Sequence, residues 1–170
     1  MGSKTSRKLL LVMLVLSPLI VGGLIEWLFR LGMTSESTVY FQLASILHVP
    51  WMYGGGMVIW FFAGMAFGNQ SLNNVKSFIL GNTLWGILLS LYIWQLFLEI
   101  TSRNSFIMNL ADFYVLGFLG FGVRIVSMFT NNIQASIASL IAYFLMLAVF
   151  STGFYTALKI KPSEANLQES

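Results

Sequence analysis

The chain has 170 residues, 57% apolar and 9% charged, with nine basic and six acidic side chains and a net charge of +3. Ordinary soluble domains carry about 25% charge, and so small and scattered a positive balance offers nucleic acid no footprint, so no nucleic-acid partner is expected. With no cysteine and one histidine, His48, the chain lacks ligands for disulfides, iron–sulfur clusters, thiolate metals, bis-histidine haem or histidine-rich zinc; no metal, no cofactor and no enzymatic activity are expected.

Apolar runs near 20 residues recur along the chain, which is what a hydrocarbon core ~30 Å thick requires of each crossing helix. The expected fold class is therefore all-α: a polytopic integral membrane helical bundle with five transmembrane helices and one short interfacial or re-entrant helix. Six spans are the alternative. Residues 1–158 form a single transmembrane domain, and residues 159–170 a polar, flexible C-terminal tail.

Span one covers about Leu9 to Phe29, with a kink expected at Pro18 because proline removes an intrahelical hydrogen bond. Lys4, Arg7 and Lys8 ahead of it look like the start of a signal peptide, but the apolar run continues too far, so an uncleaved first span is expected. Val39 to Gly68 is mostly apolar yet longer than one crossing needs, and Pro50 and Gly54-Gly55-Gly56 divide it. Val39–Val49 is read as the short helix and Trp51–Phe67 as span two. Span three is Ser77–Leu98, span four Phe106–Phe129 and span five Ile133–Leu158, with Asn131-Asn132 as a tight turn.

Close helix packing is expected where small residues recur: Gly64 and Gly68, then Gly117, Gly120 and Gly122, then Ala135, Ala138, Ser139 and Ala142. Trp27, Trp51, Tyr53, Trp94 and Tyr155 fall near span ends, where amphipathic rings sit at headgroup level. Lys and Arg in the loops divide five to four for five spans with the N-terminus inside, and six to three for six spans. The expected location is a bacterial cytoplasmic membrane with a cytoplasmic N-terminus.

Ionisable groups inside a membrane are costly, so each is a candidate for function. Glu26, Glu99, Asp112 and His48 all fall towards the outer face in the five-span reading. Glu26–Arg30 and Glu99–Arg103 have the acid-first spacing of a local ion pair. Asp112 has no basic neighbour three or four residues away and lies ~8 Å from the middle of span four. Asn109 and Asp112 share a face, as do Gln95 and Glu99, so a polar seam between spans three and four is expected. Such a seam is either a solute path, with His48 at its mouth, or interhelical glue. A second candidate is an anion or lipid-headgroup site from Arg124, Lys76, Asn131 and Asn132.

In length and hydropathy alone the chain is similar to the substrate-binding membrane subunits of energy-coupling vitamin transporters. The expected function is a small permease, or the membrane subunit of a transporter, for a small solute or ion. The alternative is a non-catalytic accessory, assembly or immunity-type protein acting through helix contacts. Partners are then the lipid bilayer, a solute or ion, and partner membrane subunits or a homo-oligomer.

Overall fold

Leu9 to Thr34 is apolar enough for a membrane crossing and lies within α1 (Gly2–Thr34), which Pro18 does not terminate. Proline at 18 deprives the Leu14 carbonyl of its usual amide donor, and the Ser17 hydroxyl replaces it at 2.8 Å. The structure, a computed structural model, describes the backbone of residues 2–35, 37–132 and 134–167, and side chains of residues 9–160 other than 36 and 133. Among the described residues six further α-helices follow: α2 (Thr38–Pro50), α3 (Gly56–Gly68), α4 (Asn74–Gly81), α5 (Thr83–Phe97), α6 (Ser105–Phe129) and α7 (Ala135–Leu167). Among the described residues there is no strand.

Among the described residues, four stretches are long and apolar enough to cross a membrane: Leu9–Thr34, Thr38–Gly68, Ser105–Phe129 and Ala135–Ile160. A fifth arises if α4 and α5, bent by 50° at Asn82, count as one span. The expected third span is thus broken, and Gly81-Asn82-Thr83 is where the sequence carried that signal. The division of Val39–Gly68 is present too. A π-helical turn (Trp51–Gly55) joins α2 to α3, and within it Gly54 has φ 122°, a conformation that side chains with a Cβ rarely adopt. Lys159 and Ile160 continue α7, whose helix runs through Leu167; residues 168–170 of the expected tail lie outside the described residues.

Helix directions follow from the glycine contacts. Gly64 lies against Phe150 and Gly68 against Phe154, so α3 and α7 run parallel. Gly56 meets Gly117 and Gly120 meets the Met52 carbonyl, so the α2–α3 segment runs antiparallel to α6. Gly122 packs on Ala138. The small residues therefore serve packing within the chain, letting backbones approach where lipid supplies no hydrophobic drive. Trp60, Tyr92, Tyr114, Phe118, Tyr143 and Phe150 fill the core between them. Trp27, Tyr53, Trp94 and Tyr155 are exposed, whereas Trp51 is buried, with its ring over Gly55 and Gly117, and Tyr53 lies against Gly120, at the middle of the Thr38–Gly68 stretch rather than at a span end.

Candidate functional site

Two polar clusters interrupt the apolar bundle. The first joins α1 to α2. Gly32 lets the two helices close, with Phe41 and Ala44 packed against it, and this brings His48 back alongside Glu26. Glu26 Oε1 accepts from Arg30 Nε at 2.8 Å, and Glu26 Oε2 lies 3.1 Å from His48 Nε2. Phe29 stacks on the imidazole with ring centroids 4.2 Å apart. The expected Glu26–Arg30 pair is present. Its extension to His48, 22 residues away in sequence, could not be read from local spacing.

The members of this triad differ in burial. The Glu26 side chain is 17% exposed and that of Arg30 is 61% exposed. Replacing Glu26 with Ala should therefore cost about 1–2 kcal/mol, because it strands a buried imidazole without its partner. Arg30→Ala should cost under about 0.5 kcal/mol, as expected of a solvated ion pair. Denaturant unfolding in detergent micelles measures both, and equal losses would contradict this ranking.

The second cluster lies between α5, α6 and α7. Asp112 Oδ1 accepts a hydrogen bond from Ser139 at 2.8 Å. The buried Tyr92 ring lies beside the cluster, its centroid 6.0 Å from that of Tyr143. One turn along α7 from Ser139, the Tyr143 hydroxyl donates to the Ala111 carbonyl at 3.1 Å. Among the described residues no Lys, Arg or His forms an ion pair with Asp112. Two more polar groups are buried nearby without partners among the described residues: Tyr114 Oη, and Nε1 of Trp60, whose ring lies 6.0 Å from that of Tyr114.

Several expected members are elsewhere. Gln95 is buried, but its Oε1 accepts from the Asn104 backbone at 2.6 Å, while Asn104 Oδ1 caps α6 through Phe106 and Ile107. Gln95 therefore holds the α5–α6 link. Asn109 is exposed, although it lies only ~60° around the α6 axis from Asp112. Glu99 is also exposed, because α5 ends at Phe97 and places it in the link. That early ending also removes the expected Glu99–Arg103 pair: Arg103 instead donates to the Leu96 and Leu98 carbonyls, as a cation does at a helix C-terminus. His48 belongs to the first cluster, and no hydrogen bond or ion pair joins it to Asp112.

The expected anion site does not assemble either. Lys76 adjoins Ser77, which bonds the Phe67 carbonyl beside Gly68, and Gly68 abuts Ala157. Arg124 lies two residues past Gly122, which abuts Ala138. Ala138 and Ala157 are ~28 Å apart along one helix, so Lys76 and Arg124 sit at opposite ends of the bundle. Asn131 and Asn132 stay with Arg124, exposed in the α6–α7 turn, where the Thr130 hydroxyl accepts from the Asn132 backbone. Among the described residues there is also no cluster of three or more metal-ligating side chains. Ser139 and Tyr143 were missed as functional candidates. Ser139 sat unremarked in a small-residue stripe, and only its 27-residue separation from Asp112 across two helices reveals its role. No known protein family, characterised protein or solved structure matches the chain.

Proposed function

We propose that this is a transport-related integral membrane protein in which Asp112 carries a proton or a small cation through the bundle. The observation that carries this reading is a half-buried carboxylate, held by Ser139 beside Tyr92 and Tyr143, with no cationic partner among the described residues. A carboxylate in that setting is stabilised by taking up a proton or a cation. The test is flux into liposomes containing the purified protein, driven by a potassium diffusion potential and read with an internal pH dye and tracer sodium. Asp112→Asn should lower one of the two fluxes at least about tenfold; flux equal to protein-free liposomes for both proteins would end the reading.

A second reading, an accessory protein acting through helix contacts, is favoured by α1 alone. Only 11% of its crossing window is buried, against 44% for α6 and for α7. Under that reading Asp112→Asn is silent, and polar substitutions on the exposed face of α1, such as Leu24→Ser, abolish the cellular phenotype.

The topology belongs to the same proposal. In five alternating crossings α3 and α6 would point the same way and α7 the other, yet α3 opposes α6 and parallels α7. Four crossings remove the conflict, with α4–α5 dipping into the bundle as far as Tyr143 and returning to the side it left. Lys4, Arg7, Lys8, Lys76, Arg103, Lys159 and Lys161 then share the side of both termini, leaving Arg30 and Arg124 opposite. Seven to two is the asymmetry expected of a cytoplasmic face. Because the chain has no cysteine, single-cysteine variants report the topology cleanly. Asn131→Cys should react with an impermeant maleimide on intact cells, and Thr101→Cys only after permeabilisation. Five crossings give the reverse.

A further inference from the structure

The helix α2 is bounded by two breaks in the helical path. Ser35 and Ser37 lie in its link from α1, and after Pro50 comes the π-helical turn in which Gly54 has φ 122°. Pro50 also leaves the Ile46 carbonyl without its usual helical donor, which loosens that end. Both ends can therefore absorb a change in the angle of α2. Its hold on α1 is correspondingly small, since Ala44 and His48 are the buried residues of α2. Ala44 rests on Gly32, and His48 meets Glu26 and Phe29. Among the described residues no other side-chain hydrogen bond joins α1 to α2.

That one bond responds to protons. Glu26 already accepts from Arg30 on Oε1, so its Oε2, 3.1 Å from His48 Nε2, also acts as an acceptor. A neutral imidazole donates to it through Nε2–H. An imidazolium makes the same bond with an opposite charge behind it, and charge-assisted bonds are the stronger kind. The side chains are only 11% and 17% exposed, so water screens that attraction poorly. The other ionisable groups around His48 do not reverse the sign. Arg30, on α1, is largely exposed and lies over the Phe113 ring of α6 at 5.9 Å. Tyr40 of α2 and Tyr53 of the π-helical turn are exposed, and Asp112 of α6 is engaged with Ser139.

We infer that α2 is a proton-responsive flap, latched to α1 by His48 and Glu26 and held more tightly when the imidazole is protonated. In a crossing α1, Glu26 and Arg30 lie towards the end away from Leu9, so the latch reads acidity on that face of the membrane. It does not involve Asp112 and stands or falls independently of the transport reading. The test uses the full-length protein in lipid nanodiscs, spin-labelled through Leu24→Cys and Ile46→Cys, two exposed positions in a chain without native cysteine. Pulsed electron paramagnetic resonance measures the distance between the labels at about pH 8 and about pH 5.5, on either side of the range in which histidines commonly titrate. The shorter, latched population should rise several-fold relative to the longer one at the acid pH. His48→Gln, which still donates but takes up no proton, should give the same distribution at both. An unchanged wild-type distribution, or an acid response preserved in His48→Gln, would overturn the inference.

Discussion

Leucine at position 153 is expected to prevent the bundle from assembling. Gly153 is where α7 meets α3, and even a Cβ there would come within 3.0 Å of the Phe61 carbonyl carbon and 3.3 Å of the Met65 nitrogen. Both obstacles are backbone, so no side-chain rotation can relieve them. A four-carbon side chain must push two helices apart along an interface that also carries Gly64 and Gly68. Overpacking a tight core costs about 1–3 kcal/mol when side chains can shift, so here the loss should exceed about 3 kcal/mol. Gly86→Leu is the matched control, because the same change meets open space there. Size-exclusion profiles and thermal unfolding in detergent measure both. A monodisperse Gly153→Leu protein with wild-type melting would show that α3 and α7 do not pack as described.

Asp112 should separate folding from activity. Asn keeps the shape and can still accept from Ser139 through its carbonyl oxygen, so Asp112→Asn should change stability by less than about 1 kcal/mol. It cannot exchange a proton or balance a cation, and transport should fall at least about tenfold. Asp112→Leu strands the Ser139 hydroxyl as well, adding a folding cost of about 1–3 kcal/mol. Asp112→Glu retains the charge but moves the oxygens by one methylene, so partial flux is expected. The informative pattern is the order Asp, then Glu, then Asn in flux, with Asp and Asn close in stability. If flux instead follows stability across the series, Asp112 is structural glue.

What the sequence made legible was periodic or compositional. The apolar runs announced helices, Gly54-Gly55-Gly56 marked the break, and Gly64, Gly68, Gly117 and Gly122 marked close approaches that the structure contains. Acid-first spacing found Glu26–Arg30 because both groups lie on one uninterrupted helix. The same rule failed for Glu99–Arg103, since α5 stops at Phe97 and the arginine turns back to cap it. Facial arguments placed Asn109 beside Asp112, but residues three apart on a helix differ by ~60° around its axis. That was enough to leave Asn109 exposed while Asp112 reached Ser139. The Glu26–His48 and Asp112–Ser139 pairs depend on how helices dock, and no window of one chain segment contains that information.

Infrared difference spectroscopy of the purified protein in lipid vesicles, stepped across pH with and without sodium, addresses Asp112 without requiring its substrate. A protonated-carboxyl band that appears and disappears with those steps in the wild-type chain, and is missing in Asp112→Asn, is the predicted result. A wild-type difference spectrum identical to that of Asp112→Asn would mean the carboxylate exchanges nothing, and the case for transport through this bundle would go with it.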